Sequence, residues 1–308
     1  MPVLKLIRCK HMFPALPCVL TGCVLRHVCF FFAILVFLVV TTPLAAENKQ
    51  GTQVIETTPD KIRADCLDII FSGQESLHYS ISWKGGIKIG DLSLNIYQEA
   101  NGEFVIDARV VACGLFGLIF PINDIFTTRV QGELKLPVQY DVLQRESRRR
   151  PTKRHFIYDQ HQHTVRYKKN ETPVQYFTIA GTAYNEFSAF FITRALRYST
   201  FGVGIVVPAF VDKKRHEVIV SMLRREHLKN TLFGDVTTMK VKPAMNFKGL
   251  YNKNGNTSIW LTDDVCRIPI IIDSRIVVGS LTAKLVEYTN PACPLPQYQL
   301  KKEGVSNE

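Results

Sequence analysis

The sequence predicts a mainly β protein: an antiparallel β-barrel or strongly curved sheet with one amphipathic α-helix at about 186–199. Three observations predict it. Short segments of alternating apolar and polar residues, separated by turn residues, recur at roughly 8–12-residue spacing between residues 67 and 288. One stretch in that interval has helical spacing instead. The regular strand–helix alternation of a parallel α/β fold is missing.

The elements follow in chain order. Leu77, Tyr79, Ile81 and Trp83 alternate with His78, Ser80 and Ser82, which reads as a half-buried strand ending at Gly85-Gly86. Ile87 and Ile89 then occupy odd positions, whereas Leu92, Leu94 and Ile96 occupy even ones. A slip of one residue moves every side chain to the other face, so a bulge is expected near Gly90-Asp91. Asn101-Gly102 marks a hairpin, and Phe104, Ile106, Ala108 and Val110 share one face of the next strand. Further strands are expected over 126–133, 136–144, 154–158, 164–168, 174–179, 217–223, 237–242, 245–250, 257–262, 268–273 and 280–288. The helix carries Phe187, Phe190, Phe191, Ala195 and Tyr198 on one stripe, with Asn185 placed to cap it and Gly202 and Gly204 beyond its end. Its stripe is expected to pack on a sheet face or plug a barrel mouth.

The 308 residues carry 38 Lys and Arg against 27 Asp and Glu. The first 46 hold four of the basic residues, no acid and four of the eight cysteines, leaving a net charge of +7 on the remainder. Val28 to Val40 is thirteen residues without a charge, preceded by Arg26 and followed by Thr, Pro and Ala. That is the layout of a signal peptide, shorter than the roughly 20 apolar residues of a membrane span. Residues 1–46 are therefore read as a signal peptide or N-terminal anchor. The alternatives are an inner-membrane anchor formed by residues 28–46 and a lipoprotein attached through Cys23 of Leu20-Thr21-Gly22-Cys23. Residues 47–64 read as a linker, 65–290 as a single β-rich domain and 291–308 as a tail.

Cys66, Cys113, Cys266 and Cys293 remain after such a signal, and an even number in an exported chain permits disulfides. Cys66 precedes the first strand and Cys293 follows the last, so these two are expected to pair if those strands are neighbours. Buried free thiols are the alternative.

Catalytic signals are weak. His161 and His163, with Asp159 and His155 nearby, read as a polar hairpin tip rather than a metal site, and Asp263-Asp264 reads as a turn rather than an acid/base pair. Arg148, Arg149 and Arg150 form the strongest charge run, either a solvated hairpin end or a contact for anionic head groups. Nucleic acid is excluded as a partner by export, and no cofactor is expected because no dinucleotide, phosphate-loop, zinc-protease or serine-hydrolase motif occurs. The aromatic content carries more information. A curved sheet lined by Tyr79, Trp83, Phe104, Phe187, Phe191 and Trp260 suits a lipid or another apolar ligand.

Three stretches taken in order resemble one family. They are Gly73 to Trp83 continuing to Gly86 and Gly90, Glu186 to Arg194 followed by Gly202, and Ile259 to Asp264 followed by Arg267-Ile268-Pro269-Ile270 and Gly279. Together they resemble the domain-of-unknown-function 3108 family of exported bacterial proteins, over roughly residues 67–290. One departure is Asn185-Glu186, where an Asp is expected before the helix Ser. The resemblance implies Gram-negative export to the periplasm and a β-rich fold, and transfers no catalytic residue. The leading expectation is a non-enzymatic protein of envelope maintenance that binds a lipid or other apolar ligand inside the sheet. The alternatives are a structural protein pairing an edge strand or the Phe-rich helix with an envelope partner, and an unrecognised hydrolase using Asp263 or Asp264.

Overall fold

Alternation along the chain becomes one very large sheet in the computed structural model, which describes residues 54–84, 86–145, 150–199, 201–248, 254–276 and 279–298. The segment 1–46, with Cys23, lies outside the described residues, as do Arg148 and Arg149. A short strand β1 (Val54–Glu56) opens the described chain. An up-and-down run follows: β2 (Gln74–Trp83), β3 (Ile87–Gln98), β4 (Phe104–Ala112), β5 (Asn123–Gln131), β6 (Leu136–Gln144), β7 (Thr152–Asp159), β8 (Thr164–Lys169) and β9 (Gln175–Thr178). A second run comprises β10 (Gly204–Val211), β11 (Lys214–Thr231), β12 (Gly234–Lys248), β13 (Asn254–Thr262), β14 (Pro269–Ile276) and β15 (Gly279–Thr289). Helices α1 (Ala64–Ile70), α2 (Gly114–Ile119) and α3 (Glu186–Ala195) interrupt them.

The strand order is β1-β10-β11-β12-β13-β14-β15-β2-β3-β4-β5-β6-β7-β8-β9. Every pairing is antiparallel except β1 with β10, and the two runs join where β15 pairs with β2, Leu285 opposite Tyr79. The sheet is open, with β1 and β9 at its ends, yet it curls until those ends approach. Phe210 on β10 lies 5.8 Å from Phe177 on β9 and 6.1 Å from Tyr158 on β7, ring centre to ring centre. Between them Tyr184 donates its N–H to the Pro208 carbonyl and accepts one from Phe210. Side chains and one connecting segment close the curl where strand pairing does not.

The phase change in β3 is a bulge. Ile81 pairs with Gly90, but Ser82 pairs with Lys88, leaving Ile89 as the extra residue. Gly90 is required there, since a Cβ would lie 2.5 Å from the Val111 carbonyl oxygen. Gly102 adopts φ +86° at the expected hairpin.

Helix α3 lies inside the curl. Asn185 Oδ1 accepts from the backbone N–H groups of Phe187 (3.1 Å) and Ser188 (2.9 Å), and Ser188 Oγ accepts from the Asn185 N–H, so the Asn caps as expected. Asn185 Nδ2 also donates to Thr128 Oγ1 on β5 (2.8 Å), fixing the helix start against the sheet. The helix is shorter than expected, because Leu196 turns extended and bridges to Ile62 instead of continuing to residue 199.

Four other expectations are corrected. The expected linker 47–64 instead holds β1 and a 3₁₀ turn, Pro59–Lys61, in its described part, and α1 follows with Cys66, Leu67 and Ile70 buried. Strand β10 was not anticipated: Pro208 and a continuous apolar run hide it from an alternation test, and all eight of its residues are buried. The separate strands at 237–242 and 245–250 are one strand, β12. Finally, the disulfide joins Cys293 to Cys266, not to Cys66. The β13–β14 connection brings Cys266 beside the chain that follows β15. Cys66 instead sits on α1 against α3, its thiol 3.8 Å from the Arg194 carbonyl oxygen.

Arg194 occupies the centre of the core. Its Nη1 and Nη2 donate to the two carboxylate oxygens of Glu75 (2.5 and 2.8 Å), and its Nε donates to the Arg267 carbonyl (3.0 Å). Asn290 Nδ2 donates to the same carboxylate at 3.3 Å. A charge pair with no exposed surface persists only with such complete hydrogen bonding.

Candidate functional site

The six aromatic residues expected to line a ligand cavity do not converge. Tyr79 and Phe191 are fully buried, and the Tyr79 hydroxyl donates to the Pro269 carbonyl (2.8 Å). Phe187 packs on Phe126 at 5.0 Å, and Phe104 packs on Phe71 at 5.7 Å with Lys135 Nζ 4.5 Å from its ring centre. Tyr79 and Phe191 are core, and Phe104 and Phe187 are half-buried against it. Trp83 is half-buried at the end of β2, with Lys84 Nζ 4.9 Å from its ring centre. Trp260 is elsewhere on the sheet, donating from Nε1 to Glu226 and carrying Lys240 Nζ 4.3 Å from its ring centre. Alternation placed most of these residues on the correct face. It did not reveal that α3 and its neighbours fill that face.

A groove of about 450 Å³ lies instead on the opposite, outer face of β5 to β8. Cross-strand register builds it: Ile125 opposite Leu143, Leu143 opposite Lys153, Thr127 opposite Asp141, Asp141 opposite His155, and His155 opposite Lys168. None of the six aromatic residues lines it. Its apolar surface comes from Ile125 and Leu143. Asp141 is engaged by His155 Nδ1 (2.5 Å) and Gln139 Nε2 (2.5 Å). Asn170 accepts from the Lys153 N–H (2.7 Å) at one end. Lys153 and Lys168 stand exposed at the rim and enter no ion pair among the described residues. Arg150, also exposed, is three residues before Lys153, while the rest of its basic run is outside the described residues. The arrangement offers an apolar strip beside two ammonium groups, with the carboxylates of Asp141 and Glu171 also in the lining.

The residues weighed for catalysis have structural duties. Asp264 Oδ1 accepts from Thr262 Oγ1 and from the N–H groups of Cys266 and Arg267, and Oδ2 accepts from the Tyr298 hydroxyl (2.6 Å). Asp263 pairs with Arg225. Neither carboxylate has a histidine partner among the described residues. Asp159 holds the His161–His163 turn by accepting from the His161 and Gln162 N–H groups. Among the described residues no group of three or more His, Cys, Asp or Glu side chains is arranged to hold a metal ion. On the Phe-rich helix Phe191, Ile192 and Ala195 are fully buried, while Phe187 and Phe190 are half-buried.

One buried acid went unnoticed in the sequence. Glu186, the first residue of α3, has a carboxyl oxygen buried without a hydrogen-bond partner, and burial pushes its pKa up to about 7.

A crystal structure described as a β-barrel-like protein of domain of unknown function DUF1849 from Brucella abortus is similar over 70% of this chain and 97% of its own, at 9% identity with a TM-score of 0.47. The hypothetical protein CT021 from Chlamydia trachomatis is similar over 73% of this chain and 92% of its own, at 10% identity with a TM-score of 0.31. No curated protein matches the chain. The model of the family described as protein of unknown function (DUF3108) matches residues 78–286, and the chain belongs to that family.

Proposed function

We propose that this chain is an exported, non-enzymatic binding protein of the cell envelope, and that its ligand is an amphiphile held in the outer groove of β5 to β8. The observation that carries the reading is the placement of Ile125 and Leu143 beside Lys153 and Lys168. The apolar pair accepts part of a hydrocarbon chain, and the ammonium groups accept a carboxylate or phosphate. The volume suits one acyl segment and lies in the ordinary range of ligand sites. The apolar ligand expected inside the sheet thus moves to its outer surface, because core side chains occupy the inside. The protein purified from an exporting host is titrated with the fluorescent fatty acid dansyl-undecanoate. Saturable binding is expected, weakened about tenfold or more by Lys153→Glu combined with Lys168→Glu. Binding unchanged by that pair of substitutions sinks the reading.

A further inference from the structure

Outside the groove, α2 presents an exposed apolar surface. The segment Ala112 to Ile122, which connects β4 to β5, contains no charged residue. It folds as one short helix whose apolar side chains face solvent: Leu115 is 81% exposed, Leu118 80%, Ile119 69% and Phe120 56%. Phe116 stacks loosely on Phe120 at 5.4 Å, and Ile87 on β3 is 62% exposed. The helix is tied to the neighbouring strand by the Cys113 N–H, which donates to the Ile89 carbonyl (2.9 Å). Gly117 lets it fold tightly over the end of β4, where a Cβ would lie 3.0 Å from the Ala112 carbonyl oxygen. A contiguous apolar surface of this kind costs free energy in water and marks an interaction site.

The surroundings select the partner. Hairpin topology puts the β2–β3 turn, α2 and the β6–β7 connection at the same end of the sheet, as the Asn123 N–H donating to the Arg145 carbonyl confirms. These connections present Lys84, Lys88, Arg145 and Arg150, all exposed, with Trp83 half-buried among them. Of the nearby acids among the described residues, Asp91 is paired with Lys88 (2.9 Å) and Asp124 is buried. An uncharged apolar tip ringed by cations and a tryptophan matches the depth profile of an anionic bilayer: hydrocarbon below, aromatic at the interface, negative head groups around. Six residues are too few to span, and among the described residues no helix is long and apolar enough to cross a membrane. We infer that α2, with Ile87, is a docking tip that inserts into the interface of an anionic lipid bilayer while Lys84, Arg145 and Arg150 contact its head groups.

This inference uses residues distinct from the groove, so the two readings fail separately. Amide hydrogen exchange is measured on the full protein as purified from an exporting host, with phosphatidylglycerol vesicles, with phosphatidylcholine vesicles and with none. Slowed exchange over residues 113–121 is expected with phosphatidylglycerol and little change with phosphatidylcholine. The variant Leu115→Ser/Leu118→Ser/Ile119→Ser should lose that protection and bind the vesicles about tenfold more weakly, while still binding dansyl-undecanoate. Unchanged exchange over 113–121 in phosphatidylglycerol overturns the inference. So does protection that grows with protein concentration in the absence of vesicles, which identifies a second copy as the occupant.

Discussion

Helix α3 carries Phe187, Phe191, Ile192 and Ala195 into the hollow of the sheet, whereas α2 leaves Leu115, Leu118 and Ile119 in solvent. Both are short and rich in apolar residues, and each follows a strand: α2 follows β4 and α3 follows β9. Their settings differ. Helix α3 has a reciprocal cap, an anchor from Asn185 to Thr128 on β5 and the Arg194–Glu75 pair near its last turn. Helix α2 has no side-chain cap and sits over the end of β4, beyond the hollow. Burial of an apolar helix is therefore decided by where its connections release it, not by its composition. An apolar helix released outside the hollow is left with surface to offer a partner.

Arg194→Ala strands the Glu75 carboxylate in the core and should cost about 3–5 kcal/mol in urea unfolding. The paired replacement Arg194→Met with Glu75→Leu should recover much of that loss, because the pair itself offsets its desolvation only partly. A mild effect of Arg194→Ala would show that α3 is held by its aromatic stripe alone. The start of α3 supplies a subtler handle. The folded-state pKa of Glu186 is raised to about 7 from 4.5, so the fold favours the protonated acid. Its contribution to stability is fully present below pH 4.5 and is lost as the pH rises through about 7. Glu186→Gln should remove this decline, making the variant more stable than the parent at pH 8 by something on the order of 2 kcal/mol, with the gap closing at pH 4. Equal pH slopes for the two proteins would refute a buried acid at the helix start. The smallest effect belongs to α2. Leu115→Ser with Leu118→Ser should leave thermal stability within about 0.5 kcal/mol of the parent, since these side chains bury nothing. A large loss would mean that α2 packs on something and is not an exposed tip.

Legibility in the sequence follows the range of the interactions concerned. Strands such as β2 and β5 are readable because one face is buried and the other is more exposed, which writes period two into the chain. Strand β10 is buried throughout and carries Pro208, so it shows no alternation to read. The cap at Asn185 was readable because it spans three residues. The Glu75–Arg194 pair spans 119 and was not. The disulfide shows the same limit. Cys66 precedes β2 and Cys293 follows β15, and those strands do pair, yet Cys266 reaches Cys293 through a connection that only the folded sheet defines. The groove is a matter of register: Ile125, Leu143, Lys153 and Lys168 come from four strands, and nothing local sets them side by side. Helix α2 is not legible because it lies in an unbroken run of apolar and glycine residues from Val110 to Ile122, which carries no periodic signal.

The sequence by itself determined the mainly β class, the strand spacing, the bulge in β3, the capped helix and the family, because each is written in local patterns of polarity and turn chemistry. Tertiary structure alone decided that the sheet stays open while curling shut on its side chains, which cysteines pair, which aromatics are core and which apolar helix remains uncovered. Those outcomes depend on strand register and on which connections meet in space, quantities that a chain acquires only when its distant parts come together.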